Sequence, residues 1–235
     1  MGVIASILFL LYNKSMTKNE LITGIKGAIF DLDGTLVDSL DIWGEIDVDF
    51  FKDNNLGEVP SDYQIAISHM SFLEMAFYTQ KRYNLKQSGE EIARIWTQMA
   101  EYGYAHKIKA KKGAEEILSF LKSQNISISL ATTNKAVLYV PCLKNNGLYS
   151  YFDHIMNVND INSSKSEPKI YLELAKLMNT RPEETLVFED ILKALKVAKK
   201  AAFRTVAVYD SHSDKDREEI LKTSDMALDD FTSLF

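Results

Sequence analysis

Gly27-Ala28-Ile29-Phe30-Asp31-Leu32-Asp33-Gly34-Thr35 is the stretch on which the fold reading turns. Four uncharged residues end abruptly in two aspartates and a glycine. That is the signature of a strand buried on both faces that delivers a polar loop at its C-terminal end. The pattern recurs downstream. Ile126 to Ala131 runs into Thr132-Thr133-Asn134, and Thr185 to Phe188 runs into Glu189-Asp190. Thr205 to Tyr209 gives another strand, and His154 to Val158 a shorter one. Between them lie helical stripes: Ala114, Ile117, Leu118 and Leu121, then a segment from 135 to 146. Tyr171, Leu174, Ala175 and Met178 follow behind Pro168, and Ile191, Ala194, Leu195 and Ala198 close the series. Such alternation builds an α/β fold, a Rossmann-like three-layer core with one parallel sheet covered on both sides.

The block from 43 to 109 differs in character. It is rich in Tyr, Phe, Met and charged residues and poor in strand-like runs. Phe72, Met75, Ala76 and Thr79 share one helical face, and Ile92, Trp96, Met99 and Tyr102 another. Pro60, with Asp53-Asn54-Asn55-Leu56-Gly57 before it, breaks one helix from the next. The expected organisation is a core formed by 17–42 and 110–235, an inserted helical domain at 43–109, and an apolar appendage at 1–16. Val3 to Tyr12 falls far short of the roughly 20 residues that span a bilayer, so no stable membrane association is expected. Gly2 and Ser6 fit an N-myristoylation pattern, Met16 offers an alternative start, and the segment stays outside the fold reading.

At 235 residues and 46% hydrophobic, the chain can bury a full core. A formal net charge of −6 argues against a nucleic-acid-binding surface, which needs clustered Lys and Arg. Cys142, the single cysteine, cannot form an intrachain disulfide and reads as a buried thiol between Pro141 and Leu143. A reducing, cytoplasmic setting and a monomer or weak dimer are the expectations.

Asp31/Asp33, Thr132/Thr133/Asn134 and Glu189/Asp190 each follow directly on an apolar strand. In an open parallel sheet those strand ends lie along one edge, where ligands bind. Four carboxylates gathered there repel one another unless a cation holds them, and hard oxygen ligands suit Mg²⁺. Taken singly, each cluster is also explained as a solvated turn or a helix N-cap.

Ala28-Ile-Phe-Asp-Leu-Asp-Gly-Thr-Leu-Val-Asp-Ser39 resembles the first signature of the haloacid dehalogenase-like (HAD) hydrolase superfamily, in its phosphatase and β-phosphoglucomutase-like branch with a helical cap. Leu130-Ala-Thr132, Lys165-Ser-Glu-Pro168 and Leu186-Val-Phe-Glu-Asp190 resemble the later signatures in order. The resemblance implies that Asp31 attacks phosphorus to form an aspartyl-phosphate, while Asp33 serves as general acid and then base. It implies Mg²⁺ held by Asp31, Asp190, the Asp33 backbone carbonyl and neighbouring Glu189. Thr132 would bind a phosphoryl oxygen with Asn134 beside it, Thr133 being the rival for that place, and Lys165 would neutralise charge. Departures from the pattern stand at Ile191 and Ala194, where Ser and Gly are common, and at Ala201-Ala202-Phe203 in place of Ala-Ala-Gly.

By the same resemblance the helical insertion is a cap, with Trp43, His69, Met70, Ser71 and Phe72 as candidate substrate contacts. Packing on helix faces is the alternative for Trp43 and Phe72. His106, His154 and His212 show no metal-ligand spacing. Around His69 to Phe72 there is no arginine to clamp a second phosphate, which favours hydrolysis over mutase turnover. Asp33 disfavours a dehalogenase. The expectation is a Mg²⁺-dependent phosphatase acting on a small phosphorylated metabolite; a phosphomutase or a catalytically retired binding domain are the alternatives.

Overall fold

The computed structural model describes residues 17–67 and 70–235, so the appendage at 1–16 and His69 lie outside the described residues. Along the chain, α1 (Lys18–Leu21) leads to β1 (Gly27–Phe30). Four helices follow: α2 (Ile42–Asp53), α3 (Ser61–Ile67), α4 (Phe72–Tyr83) and α5 (Gly89–His106). Alternation then begins with α6 (Ala114–Ser123), β2 (Ser127–Thr132), α7 (Ala136–Asn145) and β3 (His154–Asn157). It continues through α8 (Lys169–Leu177), β4 (Thr185–Glu189), α9 (Leu192–Lys200), β5 (Arg204–Val208), α10 (Arg217–Thr223) and β6 (Met226–Leu228).

The chain divides into two compact units. One comprises the residues up to Ser39 together with Lys109–Phe235, the other Leu40–Ile108. In the first, six parallel strands run in the order β3-β2-β1-β4-β5-β6. The inner strands are buried along nearly their whole length, as a sheet covered on both faces requires. Ile29, Ala131 and Val187 from the sheet meet Ile170, Tyr171, Leu174 and Ala175 of α8 and Ala198 of α9 in one cluster. The two connections to the helical unit run side by side: Val37 pairs antiparallel with Ala110, and the Lys111 N–H donates to the Leu36 carbonyl at 2.8 Å. Cys142 is buried, and burial pushes its thiol up to about 12. Among the described residues no helix is long and apolar enough to cross a membrane.

In the helical unit, Ser71 with Glu74 and Ser88 with Glu91 form capping boxes that open α4 and α5. Phe51 packs edge-on against Tyr63 and Tyr83, with the Arg82 guanidinium over the tyrosine rings. α5 buries Ile92, Trp96, Ala100, Gly103 and Tyr104. Gly103 lets Ile42 pack close there: a Cβ would stand 2.5 Å from Ile42 Cδ1 and push that side chain aside.

Three expectations need correction. Tyr102 does not continue the buried stripe of α5; it is 60% exposed, because small residues at 100 and 103 carry the close helix contact instead. Ile191 is half exposed as well. It caps α9 in extended conformation, and the buried face of that helix starts at Ala194. The sheet also has a sixth strand, β6, whose three residues Met-Ala-Leu are too short to show a period.

Candidate active site

The chain passes from β1 outward to β2 and β3 and then returns to the other side of β1 as β4. The reversal opens a crevice at the carboxyl ends of β1 and β4. Register brings the acidic loops level there. Phe30 pairs with Leu130 on one side and Phe188 on the other, and the Phe30 and Phe188 rings stack at 4.2 Å and 2°. The next residue, Asp31, donates its backbone N–H to the Phe188 carbonyl at 3.0 Å. Gly34, with φ of 79°, then reverses the loop in a conformation that an L side chain rarely adopts.

Asp31, Glu189 and Asp190 converge in this crevice, each offering a carboxylate oxygen within 4.8 Å of the others, and all three are buried. Lys165 arrives from the turn before α8. Its ammonium lies against Asp31 Oδ1 and donates to Glu189 Oε1 at 2.6 Å. The Tyr171 hydroxyl donates to the same Glu189 oxygen at 3.1 Å, and Thr35 Oγ1 donates to Asp190 Oδ1 at 3.3 Å. Asp190 Oδ2 is buried with no hydrogen-bond partner among the described residues.

Electrostatics follow from this crowding. Burial first, and Glu189 second, hold the Asp31 carboxyl well above the usual carboxylate range despite Lys165. The same two causes push Asp190 up to about 7. Burial alone would lower the Lys165 pKa, but Asp31 and Glu189 reverse this and hold the ammonium charged. Were all three carboxylates ionised, the single ammonium would leave two negative charges uncompensated. A divalent cation with a preference for hard oxygen ligands fits both that charge and the orphaned Asp190 oxygen.

Asp33 stands apart from the three. Its Oδ1 accepts from Ser39 Oγ and its Oδ2 from Asn134 Nδ2, both at 2.6 Å. Thr132, the last residue of β2, is fully buried, and its Oγ1 accepts the Asn134 N–H at 3.0 Å. That leaves the Thr132 O–H to donate. Thr133 is exposed. Asn157, the register partner of Thr132, donates its side-chain amide to the Asn134 carbonyl. The structure thus brings Asp31, Glu189, Asp190 and Lys165 into one cluster and links Asp33, Thr132 and Asn134 into a second.

Thr35, Ser39, Asn157 and Tyr171 received no site role from the sequence. Tyr171 was legible only as a member of the buried stripe of α8, because periodicity does not tell where its hydroxyl points. Asn157 ends a strand as the other polar residues do, and that position was the available signal. In the helical unit, Ser71 is the N-cap of α4, and Trp43 packs edge-on to Phe72 with centroids 5.8 Å apart.

Residues 28–208 match the family of haloacid dehalogenase-like hydrolases. Among curated relatives, the phosphorylated carbohydrates phosphatase of Thermotoga maritima is 25% identical over 87% of this chain and 94% of its own. Hexitol phosphatase B of Escherichia coli K12 is 23% identical over 89% and 94%. Among solved structures, CbbY of Rhodobacter sphaeroides in complex with phosphate superposes with a TM-score of 0.69 at 21% identity, over 89% of this chain and 96% of that one. The match begins in β1 and ends in β5, and so takes in every acidic loop of the crevice: the chain belongs to the haloacid dehalogenase-like hydrolases.

Proposed function

We propose that this hydrolase is a Mg²⁺-dependent phosphatase that releases phosphate from a small phosphorylated metabolite through an aspartyl-phosphate on Asp31. The observation that carries the reading is the juxtaposition of Asp31, Glu189 and Asp190 within 4.8 Å at the sheet's switch point, with Lys165 against Asp31. Asp31 Oδ attacks phosphorus, and the bond to the leaving oxygen breaks. Asp33 gives that oxygen a proton and then takes one from the water that cleaves the acyl phosphate, so that alcohol and inorganic phosphate leave. The Thr132 hydroxyl and the Lys165 ammonium bind oxygens of the transferring group, where negative charge must be held. Mg²⁺ held by Asp31, Asp190, the Asp33 carbonyl and Glu189 nearby would supply the positive charge that lets an anionic carboxylate approach an anionic phosphate.

A phosphorylated carbohydrate is the substrate class best supported, since relatives matched over nearly their full length are named for phosphorylated carbohydrates and hexitols. Hydrolysis of p-nitrophenyl phosphate, followed with Mg²⁺ and with EDTA, tests the reading. Mg²⁺-dependent turnover that vanishes in Asp31→Asn is expected; turnover equal to that of the variant would overturn it.

A further inference from the structure

The chain has two tryptophans, Trp43 and Trp96, and both stand on one cleft of the helical unit. Ile46, Ile67, Phe72 and Met75 complete its apolar wall, and its volume is about 290 Å³. The ring of Phe72 lies between the two indoles, edge-on to each at 5.8 Å. One charged side chain, Asp47 of α2, belongs to this wall.

Among the described residues Asp47 has no counter-charge. It is half-buried and makes no hydrogen bond or ion pair among the described residues, and burial alone pushes its carboxyl up to about 6. Its neighbours on α2, Glu45 and Asp49, are two positions away and point to the other side of the helix, where Lys107 serves both. Arg82 is engaged by Asp62 and Tyr78. A carboxylate on an apolar wall without a partner is costly. The cleft therefore repels anions, and a positively charged group relieves it more than a neutral hydroxyl can. Its size is at the lower end of the roughly 300–1,000 Å³ of small-molecule sites, room for a single ring.

We infer that this cleft is a binding site for an organic ammonium group carried on a compact ring, with the nitrogen on the Asp47 carboxylate and the carbon frame against Trp43 and Phe72. The inference concerns the helical unit alone and does not depend on the chemistry assigned to the carboxylate cluster.

Because the chain has no other tryptophan, its indole emission reports on this cleft. The probes are trans-4-aminocyclohexanol and its neutral counterpart trans-1,4-cyclohexanediol, titrated into the full-length protein at pH 7.5. A saturable emission change is expected with the amine at a Kd roughly tenfold below that of the diol, the margin expected of an ammonium on a carboxylate among aromatic rings. Asp47→Asn, nearly isosteric, is expected to abolish that preference. No saturable change with the amine, equal affinities in the wild-type protein, or a preference that survives in Asp47→Asn would each overturn the site. Turnover of p-nitrophenyl phosphate by the same preparation decides the phosphatase reading separately.

Discussion

The side-chain amide of Asn134 donates to Asp33 Oδ2 at 2.6 Å, so the loop after β2 holds the carboxylate presented by the loop after β1. Ser39 holds the other oxygen, and Asn157 in turn fixes Asn134 through its carbonyl. Under the proposed mechanism Asp33 has to be aimed twice, first at a leaving oxygen and then at a water. Asn134→Ala is expected to lower kcat for p-nitrophenyl phosphate by about tenfold with little change in KM, the usual consequence of a misplaced proton donor. Asn134→Asp, which sets a like charge against Asp33, is expected to cost more. A change confined to KM would show instead that Asn134 acts by contacting substrate.

Much of this site is legible in the sequence, and for a definite reason. Strands β1, β2 and β4, buried on both faces, carry no charged residue until they end, so Asp31 and Glu189-Asp190 mark strand ends in the sequence itself, and Thr132, behind the apolar Leu130-Ala131, marks a third. Parallel alternation then forces those ends to one edge. What periodicity does not encode is the direction of a hydroxyl or an amide. Tyr171 shows this: it belongs to the apolar stripe of α8 and at the same time donates to Glu189. Strand β6 was hidden because three residues define no alternation, and Tyr102 misled because Ala100 and Gly103 contribute close approach rather than hydrophobicity.

The crowded carboxylates make stability depend on pH in a known direction. Asp190 rises from an ordinary value of 3.8 to about 7 on folding, and Asp31 is also raised. Groups raised in the folded state contribute stability that is fully present below the unfolded pKa and is lost as pH climbs through the folded one. For Asp190 that window runs from 3.8 to about 7. In EDTA, the melting temperature is therefore expected to fall between pH 5 and pH 8. Added Mg²⁺ should restore more of it at pH 8 than at pH 5, since protons and cation compete for the same oxygens. A melting temperature that rises with pH in EDTA would contradict this.

Lys111 is a buried cation in the second connection. Its ammonium donates to the Tyr209 carbonyl at 2.7 Å and to Asp210 Oδ2 at 3.0 Å, both at the carboxyl end of β5, with Asp38 of the first connection 3.9 Å away. Removing one partner of such a pair leaves an uncompensated buried charge, which costs about 3–5 kcal/mol. Lys111→Met is expected to lose that much in urea unfolding. Adding Asp210→Asn should recover part of the loss, because the stranded carboxylate is gone while the Tyr209 carbonyl still lacks its donor. Equal stability of Lys111→Met and wild type would show that His212, whose N–H donates to Asp210 Oδ1 at 3.0 Å, and water suffice to hold Asp210 without Lys111.

Ala202 occupies a backbone position that favours glycine. Helix α9 ends in a Schellman arrangement: the Phe203 N–H reaches back to the Ala198 carbonyl at 3.1 Å and the Ala202 N–H to Lys199 at 3.0 Å. Phe203 and Ala198 join the same core cluster, which supplies the apolar contact that accompanies this motif. The geometry sets Ala202 at φ 67°, where its Cβ crowds the neighbouring carbonyl at a cost of roughly 1–2 kcal/mol. Glycine removes that strain but has more freedom to lose on folding. The balance predicts that Ala202→Gly gains about 0.5–1 kcal/mol, or roughly 1–4 °C in melting temperature for a chain of this size. Turnover should not change, because the residue precedes β5 and so lies at the sheet edge opposite the carboxylates. A variant that melts lower than wild type would mean that the freedom glycine regains in the unfolded chain outweighs the crowding it relieves.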